Sequence, residues 1–383
     1  MRQTRASKRA TVTTVVVTND FPPRVGGIEG FVADACHALG DDVVVLTRTE
    51  DDAPATRRFD SRLPFEVVRI GGPLLPTPRV ARSAARLVET RGATRVLYGA
   101  AAPLGLLAPT LRRAGAHRQL GLTHGHEVWW AGLHGSRTLL RRIVDGLDHV
   151  GVISDHSQTR IAAVLSPEGR RKLVRIPPPV DLARFVPGDG DPGPVVVAAG
   201  RLIAQKGVDR LLDVWPIVAR LVPGASLLIV GDGPAAPSLS ARAARLRGVT
   251  MVGPVPYARM PAVLRGARVF ALPVRTRLGG LNAEGLGRVF LEAAAAGLPV
   301  VTGRSGGAPE TVLDGVSGSV VDADDRAGLA GALVRWLANP VAARAAGLAG
   351  RDHVAARYAS PAVAAAIRRC LDVQPSGPGP SDR

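Results

Sequence analysis

Two glutamates eight residues apart bracket a glycine run in this 383-residue chain: Glu284-Gly285-Leu286-Gly287-Arg288-Val289-Phe290-Leu291-Glu292-Ala293. The segment that follows is apolar and alanine-rich as far as Gly297, the pattern of a buried helix. A helix begun here exposes the amides of Gly285, Leu286 and Gly287 at its positive end, a natural seat for an anion. At helical rise the two carboxylates stand roughly 10 Å apart along the axis. Carboxylates accept hydrogen bonds from sugar hydroxyls, and amides hold phosphate. The spacing suits a nucleotide sugar, with ribose at the Glu292 end, diphosphate in the middle and the second sugar at Glu284. A capped core helix with a surface glutamate has the same letters, so the motif needs support from elsewhere in the chain.

That support comes from Gly200-Arg201-Leu202-Ile203-Ala204-Gln205-Lys206-Gly207. Arg201 offers a fork of donors and Lys206 a mobile point charge, and one loop brings them to bear on a pyrophosphate. The only lysines in the chain are Lys8, Lys172 and Lys206, among 49 basic residues, so a lysine at this place is informative. A third loop, Pro22-Pro23-Arg24-Val25-Gly26-Gly27, ends in paired glycines that let backbone approach a ligand at a helix N-terminus. His124 and His126 lie two apart at an expected strand end, which turns them to opposite faces. Glu127 is adjacent, but no third ligand follows at metal-binding spacing, and no metal is expected.

The elements that must position these loops read as parallel α/β throughout. Strands are expected at Val12–Thr18, Val43–Thr47, Phe65–Ile70, Arg95–Tyr98, Leu120–His124, Val150–Ile153 and Leu173–Ile176, and a helix at Ile28–Leu39. A Pro/Gly-rich stretch, Pro177–Pro194, reads as a linker. The rhythm then restarts at Val195–Ala199, Ser226–Val230, Thr250–Val252, Val269–Pro273, Pro299–Thr302 and Ser319–Val321. The expected division is residues 1–185, 186–355, a helix over 356–373 returning to the N-terminal domain, and a disordered tail over 374–383. Two doubly wound domains of this kind face a cleft, with ligands outside the carboxyl ends of the strands.

Composition excludes several classes. Hydrophobic residues make up 46 %, which is globular, yet no apolar run reaches the length needed to span a bilayer. The basic start, Met1–Ala10, lacks the apolar stretch and cleavage site of a secretory signal and reads as a tail before a buried strand. Cys36 and Cys370 give neither a disulfide framework nor a metal spacing, and they suit a reducing cytosol. The net charge of +17 is nearly all arginine, which codon bias or a phosphate-rich partner explains equally. Aromatics are 4 %, with no stacking platform and no helix-turn-helix, so nucleic acid is not expected. Arg79-Val80-Ala81-Arg82-Ser83-Ala84-Ala85-Arg86-Leu87-Val88 reads as a basic amphipathic helix. Arg79, Arg82 and Arg86 share one face, and the apolar face is free either to meet an anionic bilayer or to pack on a sheet.

The Arg201/Lys206 loop together with the Glu-x7-Glu segment resembles the retaining GT-B glycosyltransferases of the glycogen-synthase-like superfamily, family 4 type. Three further stretches look like the actinobacterial phosphatidylinositol mannoside mannosyltransferases: Thr18–Ile28, Gly125-His126-Glu127-Val128, and Arg275-Thr276-Arg277-Leu278-Gly279-Gly280-Leu281 running into Glu284. Ser305-Gly306-Gly307-Ala308-Pro309-Glu310 is also similar. The resemblance covers about Val12 to Tyr358 and implies two Rossmann-like domains and metal-independent, retaining transfer of a hexose. It implies that Gly26 and Gly27 contact donor phosphate, that His126 lies near the transferred sugar, and that Arg201 and Lys206 bind diphosphate. Glu284 then holds the sugar, Glu292 the ribose, and Val255 meets the base through its backbone. It favours GDP-mannose as donor and an inositol lipid as acceptor, in a cytoplasmic enzyme that is peripheral at the inner face of the plasma membrane. Three departures stand out: Pro179 where relatives commonly carry glycine, Asn282 in place of a frequent acid, and Arg288 in place of an apolar residue. The residues themselves leave base, sugar and acceptor open. A soluble acceptor, a 2-epimerase of the same architecture and a non-catalytic nucleotide-sugar-binding protein are the alternatives, and oligomeric state is not encoded in any motif.

Overall fold

The computed structural model describes residues 13–280 and 282–373. The stretch through Val12, the segment 374–383 expected as a tail, and Leu281 lie outside the described residues.

The chain divides into two compact units. The first takes residues up to Val152, then Arg160–Ile176, then Val363 onward; the second takes Ile153–Thr159 and Pro177–Ala362. In the first unit the strands are β1 (Thr14–Val17), β2 (Val43–Arg48), β3 (Glu66–Ile70), β4 (Arg95–Tyr98), β5 (Arg118–Leu122), β6 (His149–Val152) and β7 (Leu173–Arg175). They form a parallel sheet in the order β3-β2-β1-β4-β5-β6-β7. The valine-rich β1 and the first residues of β2 are buried, as strands covered on both faces require.

The second unit holds β8 (Val195–Ala199), β9 (Ser226–Val230), β10 (Val249–Gly253), β11 (Val269–Leu272), β12 (Val300–Gly303) and β13 (Gly318–Val321). Their order is β10-β9-β8-β11-β12-β13, again parallel. Strand order reverses beside β1 in one sheet and beside β8 in the other, and the loops leaving these strands carry Gly26/Gly27 and Arg201/Lys206. Ligand crevices in doubly wound sheets form at such switch points.

The expected boundary after residue 185 moves to Ile176/Pro177, because the proline-rich stretch is packed rather than free. Val180 donates its N–H to the Tyr358 carbonyl at 2.8 Å. Phe185 is fully buried, with its ring 6.1 Å from that of Tyr257. The Arg351 guanidinium binds the carbonyls of Leu182 and Phe185. Residues 153–159 join the second unit because Asp155 and His156 give their N–H groups to the Glu310 carboxylate at 2.8 and 2.9 Å. The return to the first unit begins at Val363 rather than 356. Val363, Ile367 and Cys370 of the helix Ser360–Cys370 are buried, and Arg368 donates to the Ala38 carbonyl.

The arginine-bearing helix, Pro78–Thr90, starts on a Thr77 cap with Pro78 in its first turn. Its apolar face is already used: Val80, Ala84 and Val88 are buried in the core of the first unit, and Leu87 packs against that core. Arg79, Arg82 and Arg86 point outward and are exposed. Of the two destinations open to that face, the sheet takes it. No described helix is long and apolar enough to cross a membrane.

Candidate active site

Three loops of the second unit, each leaving the carboxyl end of a strand, build the chemistry. The loop after β8 turns at Gly207, whose left-handed φ of 72° and approach to the Pro273 carbonyl leave no room for a side chain. That turn presents Lys206. The loop after β11 runs through Arg275, whose N–H bonds the Gln205 carbonyl at 2.9 Å and whose guanidinium holds Asp209 at 2.9 Å. The loop after β12 contributes Ser305 and Gly307, which clamp the Glu284 backbone. Ser305 Oγ accepts from the Glu284 N–H at 3.2 Å, and the Gly307 N–H donates to the Glu284 carbonyl at 2.9 Å.

The result brings Lys206 and Glu284 together, Nζ to Oε2, at 2.7 Å. Both side chains are mostly buried. Arg201, on the same loop as Lys206, is exposed: its carbonyl accepts from the Ile203 N–H at 2.9 Å, and its guanidinium makes no hydrogen bond or ion pair among the described residues. The helix expected to follow the glycines begins at Arg288 and runs to Ala295, with Gly287 as its N-cap. Gly285, Leu286 and Gly287 therefore belong to the approach, and no described group accepts from their amides. Leu286 buries its side chain at 1 % exposure and fixes the turn. Because Glu284 lies off the helix, its distance from Glu292 is not set by helical rise.

Glu292 is 5 % exposed rather than a surface residue. Its Oε1 accepts from the Tyr257 hydroxyl at 2.7 Å and from Arg288 Nε at 2.9 Å. Burial pushes its carboxyl above the ordinary 4.5, while Arg288 and Tyr257 act in the opposite sense. Burial likewise raises the Tyr257 phenol. Val255, half-buried beyond the end of β10, lies two residues before Tyr257.

The first unit carries the remaining candidates. Gly26 is the N-cap of the helix Gly27–Leu39, and nothing lies within 4 Å of where a Gly27 side chain would stand. Arg24 pairs with Asp20 and Glu29 beside this turn. His124 and His126 do not face opposite ways. β5 ends at Leu122, so strand alternation no longer governs them, and their rings stack at 6.3 Å and 20°. Burial pushes the His124 imidazole below its ordinary value. The fully buried Glu127 accepts the His124 N–H at 2.9 Å, and its other oxygen lies 3.2 Å from His126 Nε2.

Sequence reasoning missed Tyr257, Ser305 and Arg184. The Arg184 guanidinium lies 4.2 Å from the Tyr257 ring centroid. Tyr257 carried one signal, its place just after the expected base loop. Ser305 carried another, its place at the head of the Ser305–Glu310 stretch that resembles the family, and Arg184 carried none, since its partner Tyr257 is distant in the chain.

Residues 193–339 match the family model described as "Glycosyl transferases group 1". Over 359 residues, 88 % of this chain and 92 % of the relative, the sequence is 43 % identical to the GDP-mannose-dependent α-(1-6)-phosphatidylinositol monomannoside mannosyltransferase of Mycolicibacterium smegmatis. It is 37 % identical, over 94 % of this chain and 98 % of the relative, to the GDP-mannose-dependent monoacylated α-(1-6)-phosphatidylinositol monomannoside mannosyltransferase of Corynebacterium glutamicum. Among solved structures, Anabaena Alr3699/HepE in complex with UDP superposes with a TM-score of 0.77 at 19 % identity, covering 95 % of this chain and all of that one. That likeness is one of fold.

Proposed function

The chain belongs to the family of GDP-mannose-dependent phosphatidylinositol monomannoside mannosyltransferases, and on that premise we propose how its residues divide the work. The reaction is transfer of mannose from GDP-mannose to a hydroxyl of a phosphatidylinositol mannoside. The observation that carries the assignment of the donor site is the Lys206–Glu284 pair beside the unclaimed amides of Gly285, Leu286 and Gly287.

Lys206, Arg201 and those amides stabilise the pyrophosphate as it departs and its negative charge grows. Glu284 holds hydroxyls of the mannose, and Glu292 those of the ribose. Within the first unit, Gly26 and Gly27 are assigned to phosphate and His126 to a sugar. Transfer proceeds with retention, through an oxocarbenium-like sugar attacked by the acceptor hydroxyl on the face the nucleotide leaves, the hydroxyl's proton passing to a departing phosphate oxygen. Glu284 is held against a cation and Glu292 is deeply buried, so neither is assigned the nucleophile's part that a carboxylate takes in retaining glycosidases. Cationic side chains and backbone amides supply the charge compensation a metal ion would otherwise give. We further assign Arg79, Arg82 and Arg86 to reversible contact with an anionic bilayer.

The test is a donor panel of GDP-mannose, GDP-glucose and UDP-glucose, read by mass spectrometry against phosphatidylinositol monomannoside and a soluble mannoside. The expected product appears with GDP-mannose on the lipid. Turnover confined to uridine donors or to the soluble acceptor overturns the assignment.

A further inference from the structure

The bonds around Glu292 form a closed triangle. Tyr257 and Arg288 both donate to Oε1, and Arg288 Nη2 donates to the Tyr257 hydroxyl oxygen at 2.9 Å. Oε2 takes no bond among the described residues. The Tyr257 ring lies between two guanidinium groups, with Arg184 Cζ at 4.2 Å and Arg288 Cζ at 5.5 Å from its centroid. Arg184 also donates to the Tyr257 carbonyl at 3.0 Å. The phenol is therefore gripped at its backbone, ring and hydroxyl.

A buried carboxylate that must meet a diol has two difficulties. Its plane can rotate about the last side-chain torsion, which is soft. It also gains by taking up a proton, which would occupy an acceptor position. Two donors converging on one oxygen fix the plane and oppose the proton uptake that burial favours. We propose that Arg288 and Tyr257 are positioning residues for the donor ribose: by holding Oε1 of Glu292 they set Oε2 to accept from the ribose hydroxyls. This rests on Glu292 as the ribose ligand. It adds that recognition is made by three side chains from two elements, the turn after β10 and the helix Arg288–Ala295.

The test compares binding of GDP and 2′,3′-dideoxy-GDP to the full chain by calorimetry. The unaltered protein is expected to prefer the ribonucleotide by about tenfold or more, the scale of a hydrogen bond to a charged group. In Arg288→Met and Tyr257→Phe the preference is expected to fall to about threefold or less, because a freely rotating carboxylate no longer meets the diol in one geometry. Tyr257→Phe removes a single hydroxyl and serves if Arg288→Met does not fold. A full preference in either folded variant, with the preference abolished in Glu292→Ala, overturns the positioning role and leaves Glu292 as the ribose ligand. No preference in the unaltered protein removes both.

Discussion

Lys206 and Glu284, 78 residues apart in the chain, neutralise one another across 2.7 Å in the free protein. Both are assigned to the donor, so a diphosphate must draw Lys206 away from a partner it already has. The two residues should therefore respond oppositely to removal. Lys206→Ala is expected to weaken GDP binding by tenfold or more, the loss of a charge-assisted contact. Glu284→Ala, which frees the lysine, is expected to leave GDP binding unchanged or tighter while turnover collapses. Each single change should destabilise the fold by about 1–3 kcal/mol, because a mostly buried partner is left unpaired. Calorimetry with GDP separates the outcomes, and equal weakening in both variants would mean the pair acts as one ligand rather than in competition.

Glu284 owes its place to Gly306. A Cβ there would lie 1.9 Å from the Glu284 carbonyl oxygen, and the φ of 56° is left-handed. Gly306→Ala must push the Glu284 backbone aside, and a shift of roughly 1 Å at a reacting site can lower turnover about a hundredfold. Gly315→Ala provides the control, since its φ of 76° brings comparable backbone strain but no atom lies within 4 Å. Both variants should lose about 1–2 kcal/mol from the strained backbone alone. Only Gly306→Ala is expected to lose its activity. Equal activity in the two would detach Glu284 from the chemistry.

The buried Glu292 should leave a mark on stability as pH changes. Its carboxyl is raised above 4.5 by burial, against the opposing pull of Arg288 and Tyr257. The folded chain therefore keeps this proton at pH values where the unfolded chain has lost it. The contribution to stability is fully present below the unfolded value and is lost as pH climbs through the folded one. Glu292→Gln has no proton to lose. Melting temperatures of the two proteins, measured from pH 4.5 upward, should show the native advantage shrinking with rising pH and then levelling. A constant difference would place Glu292 in a solvent-like environment.

Much of the architecture was legible because buried parallel strands announce themselves as short apolar runs. Every described strand falls within or beside an expected one. Of the loops between them, the sequence singled out Lys206 and Glu284 in separate motifs, and the fold brings these two together. What escaped were relations that depend on partners far along the chain. The stretch from Pro177 reads as linker by composition, but Phe185 finds a buried seat beside Tyr257, 72 residues on. Glu292 reads as a surface ligand until Tyr257 and Arg288 close around it. His124 and His126 were assigned to opposite faces by a rule that holds only within a strand, and β5 stops two residues short of them.

The arginines of the helix Pro78–Thr90 give the last prediction. Val80, Ala84 and Val88 are committed to the core, so this helix has no apolar face to insert into lipid. Any attraction to a bilayer must come from Arg79, Arg82 and Arg86. Near an anionic leaflet each arginine contributes about 1 kcal/mol, and three give about a hundredfold in affinity. Attraction of this kind fades as salt shortens the screening length. The full chain should co-sediment with vesicles containing phosphatidylinositol, not with neutral phosphatidylcholine vesicles, and should be released at about 1 M salt. Changing all three arginines to serine should lower the anionic binding about a hundredfold. The melting temperature should barely move, since exposed substitutions away from packed features cost about 0.5 kcal/mol or less. Binding that survives the triple change, or that is equal on neutral vesicles, would assign the contact to another surface of the protein.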